Sequence, residues 1–457
     1  MKLFVFILCL APVSVWAVTF TLPPAKSGSP FGSTALQLSS RGYSEEEFLV
    51  SGSANRYRIK DPLMSAEKVD GGHDYTTRIL VRRPTKPARF NGIVIVEWYN
   101  VTGGQDLDFL FGATRNHLLE HGYAWVGVSA QLVGVDALKA KNPARYASLN
   151  VTASNEDPAG GTLDDRSDVL SWDIYTQISA ALRIPGRVDP LGGLKPQLVI
   201  AAGESQSALR LSQYYNAIHP LYPQVFDGFF LYDRFIGGLR GDINTKIVSF
   251  GSEVVRNSFG PAPPDASNIR VWEAAGASHL SLDEIHSYMD EQVLRNGITR
   301  GADGAPINLS QTFVGCDNNP IFSRVPNGDV LDAGLEALIT WVKQGKAPPT
   351  APRLGADANG KLARDGEGRV SGGVRLAAYD APIAKNLGVN SGPAFCSLGG
   401  SHQDFTPAEL CRRYGSTRNY LARVTEVTRK AQSDGFLLKR DADRTIEEAR
   451  GVSFSCD

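Results

Sequence analysis

Residues Gln197 to Tyr215, QLVIAAGESQSALRLSQYY, decide the fold. Leu198 to Ala202 is apolar without alternation, the signature of a strand covered on both faces of a parallel sheet. Gly203-Glu204-Ser205-Gln206-Ser207 then makes a sharp turn, and the spacing of Ala208, Leu209, Leu211 and Tyr215 suits a helix packed back on that sheet. Strand, serine-bearing turn and helix form the layout of a nucleophile elbow, which needs small residues two before and two after the serine because neighbouring backbones crowd it. Here those residues are Gly203 and Ser207, giving G-x-S-x-S. A plain strand-to-helix connection with a capping serine would share part of this pattern; the flanking strand and helix favour the nucleophile.

A serine hydroxyl needs a base to take its proton, and the base needs an acid to hold its tautomer. Chain order for such an elbow runs Ser, acid, His, with the acid after one late strand and the histidine on the loop after the next. Lys246 to Phe250 is a short apolar strand followed by Gly251-Ser252-Glu253, and Ile269 to Glu273 is another followed by Ala274-Ala275-Gly276-Ala277-Ser278-His279. Glu253 and His279 therefore fill the expected loops. Asp233 is the alternative acid, since Phe226 to Tyr232 also reads as a strand that Asp233 would end. Among the other histidines, His73 precedes the core sheet, His219 ends the helix after the elbow, His402 lies in a distal segment, and His286 is the nearest rival.

His117-Leu118-Leu119-Glu120-His121 matches H-x-x-E-H, a zinc-peptidase spacing. Gly122 directly after it marks a helix C-terminus, where His121 complements the helix dipole, and the buried strand Tyr123 to Val128 follows. The motif thus reads as a crossover helix between parallel strands, with no third metal ligand nearby. An oxyanion hole would use the amide of the residue after the serine, Gln206, and one from the loop after the third sheet strand. Asn91 to Trp98 reads as that strand, leading into Tyr99-Asn100-Val101-Thr102-Gly103-Gly104; the amide of Tyr99 or Asn100 is expected to complete the hole.

VEWYNVTGG (Val96 to Gly104), WDIYTQISAALR (Trp172 to Arg183), AAGESQSALRL (Ala201 to Leu211), WEAAGASH (Trp272 to His279) and CDNNP (Cys316 to Pro320) together span most of the chain. In these stretches the protein resembles the secreted bacterial α/β-hydrolase domain family, distantly similar in layout to tannase and feruloyl esterases. The resemblance implies an α/β-hydrolase fold and a serine hydrolase acting on an ester, with Ser205, Glu253 and His279 at the matching positions. An amidase or peptidase with the same residues, or a non-catalytic binding protein on the same fold, are the alternatives. No metal or organic cofactor is implied.

With 457 residues and 42% hydrophobic content, the chain can bury a large core, and alternating strand and helix patterns argue for one large α/β domain. A formal net charge of −1 without basic clusters gives no footprint for nucleic acid. The expected partner is a small-molecule or polymer-derived ester substrate, without stable membrane insertion. Met1 to Ala17, with Lys2, an apolar run and Val15-Trp16-Ala17, reads as a secretory signal peptide, which implies a secreted or periplasmic protein; an uncleaved anchor is the alternative. Four cysteines then remain, and an oxidising compartment favours two disulfides over free thiols; three connectivities are possible, and Cys316 with Cys396 and Cys411 with Cys456 is the one expected. Two pieces, Glu46 to Val50 and Thr77 to Val81, read as opening antiparallel strands, and Asn155 to Asp168 as a mobile loop. Val330 to Gly345 is an amphipathic helix closed by Gly345, expected to be the last of a core over 18–350. That leaves 281–329 as a lid-like insertion and 351–457 as a C-terminal extension.

Overall fold

The computed structural model describes residues 18–61, 65–234, 237–297, 299–300 and 304–456; the expected signal peptide lies outside them. Nine strands form one sheet: β1 (Thr19–Thr21), β2 (Tyr43–Asp61), β3 (Ser65–Pro84), β4 (Ile93–Trp98), β5 (Ala124–Val128), β6 (Leu198–Glu204), β7 (Gly228–Tyr232), β8 (Lys246–Gly251) and β9 (Ile269–Glu273), in the order β1-β2-β3-β5-β4-β6-β7-β8-β9. β1, β2, β3 and β5 pair antiparallel, and β5 through β9 pair parallel. This is the α/β-hydrolase fold class expected from the sequence.

Both faces of the parallel part are covered. Along β4, Ile93 and Ile95 join one apolar core while Val94, Val96 and Trp98 join the other; along β6, Leu198, Ile200 and Ala202 separate from Val199 and Ala201 in the same way. Continuous apolar runs therefore carry the strands, because neither face meets water. The chain leaves β4 for β5 on one side and returns to β6 on the other. The carboxyl ends of β4 and β6 thus flank a reversal of winding, where open α/β sheets leave a crevice for ligands.

The opening strands are much longer than the two apolar pieces that announced them. β2 and β3 make a 19- and 20-residue antiparallel ribbon with register shifts near Ala54 to Asp61. Polar residues hide this length in the sequence, yet two of them are core groups. Arg78 is buried between Glu47 and Asp106 at 3.1 and 3.0 Å, and Arg82 between Glu45 and Asp108 at 2.7 and 2.6 Å. Asp106 and Asp108 lie in the loop after β4, so these pairs fasten that loop to the ribbon. Burying charges is tolerable here because each guanidinium meets two carboxylates.

Segment 155–168 is the irregular loop expected, and it is tied to its surroundings. Arg210 from the helix after the elbow bonds Asp164 at 2.7 Å, Asn155 Nδ2 donates to the Asp164 carbonyl at 2.7 Å, and Arg58 pairs with Asp157. The Asp, Asn and Gly that read as flexible here serve as turn formers and ion-pair partners.

Helix Asn327–Gln344 runs slightly longer than expected and ends at Gly345 in the left-handed region at φ 71°, as a C-terminal glycine should. Beyond it lie a two-stranded ladder of Ala384–Leu387 with Ser401–Asp404 and, besides two four-residue helices, the longer helices Pro407–Tyr414, Thr417–Ser433 and Lys439–Arg450. Both expected disulfides form: Cys316–Cys396 joins residues 80 apart, and Cys411–Cys456 closes the C-terminal helices.

Candidate active site

Ser205 sits between β6 and helix Gln206–Gln213 with φ 55° and ψ −116°, a strained conformation for a residue with a side chain. The surroundings enforce it. The Ser205 amide donates to the Tyr232 carbonyl at 2.9 Å, holding the turn against the end of β7. A Cβ on Gly203 would come within 2.9 Å of Ser207 Oγ and 3.0 Å of Leu211 Cδ1, so a side chain there would crowd the turn. Ser207 tolerates the fifth position because its hydroxyl is used: it accepts from the Glu204 amide at 3.0 Å and donates to the Glu204 carbonyl at 2.8 Å. The departure from glycine thus closes the turn with two hydrogen bonds of its own.

His279 Nε2 lies 3.0 Å from Ser205 Oγ. On the other side of the ring, Nδ1–H donates to Asp233 Oδ2 at 2.5 Å. The acid facing His279 is therefore Asp233, at the end of β7, and not Glu253. Asp233 has φ 54°, in the left-handed region that aspartate enters more readily than most residues, and the Ser252 amide and hydroxyl hold its carboxylate at 2.6 and 2.7 Å. The loop after β8, where the acid was expected, supplies this support instead.

Glu253 opens helix Glu253–Phe259 and turns the other way. Its carboxylate accepts from the Gly276 amide at 2.6 Å and from Arg364 Nη2 at 2.8 Å. Burial pushes its pKa up, against the opposing charge of Arg364. Glu253 thus braces the backbone of the His279 loop without touching the ring through any hydrogen bond seen here.

That loop is clamped along its length. Tyr232 OH donates to the His279 carbonyl at 2.9 Å, Asn327 Nδ2 to the Ser278 carbonyl at 2.7 Å, and the Leu280 amide to the Leu398 carbonyl at 3.1 Å. The remaining histidines are engaged elsewhere: His73 with Asp70, His219 with Thr245, and His402 with the Phe322 carbonyl, while His286 packs edge-on against Phe322. In the H-x-x-E-H helix, His117 Nε2 meets Glu336 at 2.9 Å, and His121 Nδ1 bonds the His117 carbonyl at 3.0 Å at the helix end.

A second carboxylate beside His279 was not anticipated. Glu204, buried between Gly203 and Ser205, places Oε1 3.0 Å from His279 Nε2. The pair is close in space but not aligned as a hydrogen bond, and Oε1 has no other hydrogen-bond partner; Oε2 accepts from Asn100 Nδ2 at 2.8 Å. Burial alone would lower the His279 pKa, but the Glu204 and Asp233 charges outweigh it and raise the ring to about 10. Burial in turn raises the Glu204 carboxyl, against the charge of His279. Glu284 stands behind both, its Oε2 3.0 Å from the Tyr232 hydroxyl oxygen. The sequence cue for Glu204 was a lone carboxylate ending an apolar strand.

The expected second oxyanion donor also changes. The Tyr99 amide donates to the Val128 carbonyl at 3.4 Å and the Asn100 amide to the Leu107 carbonyl at 3.1 Å, so both are committed to backbone. Asn100 instead lends its side chain to Glu204. The Val101 amide meets only the Gln206 side chain, at 3.4 Å, and Thr102 and Gly103 line the cavity over Ser205. The Gln206 amide begins a helix, where the first N–H groups have no intrahelical acceptor.

A serine on an elbow, a histidine against it and an aspartate behind, all at the carboxyl ends of parallel strands, define the serine-hydrolase class of α/β site. A family model described as alpha/beta hydrolase domain matches residues 17–447, and the chain belongs to that family. No curated protein matches it. Solved structures similar to it include a putative dienelactone hydrolase from Klebsiella pneumoniae subsp. pneumoniae, 11% identical over 54% of this chain and 95% of that one, with a TM-score of 0.30. Esterase Est22 is 16% identical over 45% of this chain and 49% of its own, with a TM-score of 0.24. An alpha-beta serine hydrolase homologue from Coxiella burnetii is 11% identical over 45% and 84%, with a TM-score of 0.27. Likenesses this slight bear no weight on the chemistry of the site.

Proposed function

We propose that the protein is a serine carboxylic-ester hydrolase that works through an acyl-enzyme and acts outside the cytoplasm. The observation that carries the reading is the hydrogen-bonded line from Ser205 Oγ through His279 to Asp233. Ser205 Oγ attacks the ester carbonyl as its proton passes to His279 Nε2, and Asp233 holds the imidazolium that forms. The Gln206 amide, at the start of its helix, holds the developing oxyanion. His279 then gives its proton to the leaving alcohol, and the same groups activate water to release the acid. Two disulfides fit the extracytoplasmic location, and among the described residues no helix is long and apolar enough to cross a membrane.

Ser205→Ala is the direct test, read by hydrolysis of nitrophenyl esters and by labelling with a fluorophosphonate. Ester hydrolysis is expected to fall by roughly 10⁴-fold or more, and labelling to vanish. Equal hydrolysis by the variant would remove Ser205 from the reaction, and matched anilides would show whether amides are cleaved as well.

A further inference from the structure

The space above Ser205 is a small cavity of about 70 Å³ whose polar walls are Glu204, Ser205, His279 and the loop after β4. Its remaining walls are apolar and come from four parts of the chain, Leu280 beside His279 being one. Leu107 and Phe109 follow β4, Leu309 and Phe313 belong to the segment expected as an insertion, and Phe395 and Leu398 belong to the extension. The last two segments are bound to each other. Cys316, three residues after Phe313, is disulfide-bonded to Cys396, next to Phe395. The Asp317 amide also donates to the Ser391 carbonyl at 2.9 Å, and Asn390 Nδ2 to the Asn318 carbonyl at 2.9 Å.

From this we infer that the cavity is the acyl pocket, that it selects esters of short, uncharged, apolar acids, and that the aromatic wall stapled by Cys316–Cys396 sets its length limit. The inference rests on the ester-hydrolase reading of Ser205. The argument is one of size, polarity and stiffness. The cavity is small, and a long acyl chain would have to pass the Phe313 and Phe395 side chains to extend beyond it. No lysine or arginine lines it, and the His279 ring is already held between Asp233 and Glu204, so a carboxylate or phosphate on the acyl group would be desolvated without a free partner. The leaving alcohol must depart past His279 after the first step, whereas the acyl group stays attached to Ser205 through the second; the walled space therefore belongs to the acyl group. A longer chain needs Phe313 or Phe395 to move, and both are anchored beside the same disulfide. Phe395 is 45% exposed, which places it at the rim.

The test compares nitrophenyl acetate, butyrate, octanoate and decanoate, all with one leaving group, on the oxidised full chain and on Phe313→Ala, Phe395→Ala and a Cys316→Ser/Cys396→Ser double variant. Active-site concentration is fixed for each protein by fluorophosphonate titration. For the parent protein, kcat/KM is expected to peak at acetate or butyrate and to fall at least about tenfold by octanoate. The octanoate-to-butyrate ratio should rise about tenfold in Phe313→Ala, and less in Phe395→Ala and the double variant. If octanoate matches butyrate in the fully labelled parent, or if neither Phe variant changes the ratio, the pocket assignment is overturned while the hydrolase survives. If the parent neither takes the label nor cleaves any ester, the hydrolase reading fails and the pocket with it. The Phe variants decide the matter even where the cysteine variant does not fold.

Discussion

The loops after β7 and β8 each carry a fully buried carboxylate beside the same histidine loop, yet they do different work. Asp233 faces the His279 ring, whereas Glu253 faces the backbone of Gly276 and the guanidinium of Arg364. Neither distance along the chain nor burial separates the two. What separates them is the backbone at each turn: the left-handed φ of Asp233 aims its carboxylate along the strand ends, and the helix that starts at Glu253 points its side chain aside. A carboxylate at a strand end acquires its role from its partner.

The largest expected effect breaks the comparison on the Asp233 side. Asp233→Asn keeps the shape but lets the ring adopt the wrong tautomer, and kcat is expected to fall by about 10⁴-fold. Glu253→Gln should leave kcat within a few-fold. Steady-state kinetics on both, with fluorophosphonate labelling to count intact sites, would decide it; equal losses would return Glu253 to the acid role.

The next effect falls on stability. Arg364→Ala strands Glu253 in the core with backbone amides as its remaining partners. The expected cost is about 3 kcal/mol, the low end for a broken buried pair because Arg364 is partly exposed. The sign with pH follows from the raised pKa of Glu253. A carboxyl whose folded pKa lies above its unfolded value stabilises the fold below the unfolded pKa and loses that contribution as pH rises. Removing Arg364 lifts the folded pKa further, so the deficit in urea unfolding should be wider at pH 8 than at pH 5. The doubly substituted Glu253→Gln/Arg364→Ala chain should recover part of it. A pH-independent deficit would mean that Arg364 acts by packing alone.

The sheet, the elbow and the histidine were legible because each is local. Apolar runs mark strands covered on both faces, and Gly203, Ser205 and His279 sit at turns whose small residues announce them. The choice of acid was not legible, because it lies in the left-handed turn at Asp233 and is fixed by partners that give no signal from a distance: Arg364 lies 111 residues beyond Glu253. Arg78 and Arg82 were hidden for the same reason, since a charged residue reads as surface until its buried carboxylates are found. The second oxyanion donor was missed because Tyr99 and Asn100 look free in a loop, while the bridge between Asn100 and Leu107 occupies one amide and the end of β5 the other.

The subtlest effect concerns the third strand-end carboxylate, Glu204 on β6, which approaches the face of His279 that Asp233 leaves open. Both carboxylates favour the imidazolium, but they do so at different nitrogens. Asp233 holds the Nδ1 proton, which the ring keeps throughout the reaction, whereas Glu204 stands beside Nε2, the nitrogen that must be bare to accept the proton of Ser205. A negative Glu204 therefore stabilises the resting cation and delays the base form to higher pH, and burial opposes it by favouring a neutral carboxyl. Glu204→Gln keeps the bond to Asn100 available and removes the charge. The acid limb of the kcat/KM profile should then move down by about one pH unit, with the alkaline plateau changed less than about tenfold. An unmoved limb would mean that Glu204 is already neutral when the enzyme works, leaving Asp233 as the sole charge that His279 feels.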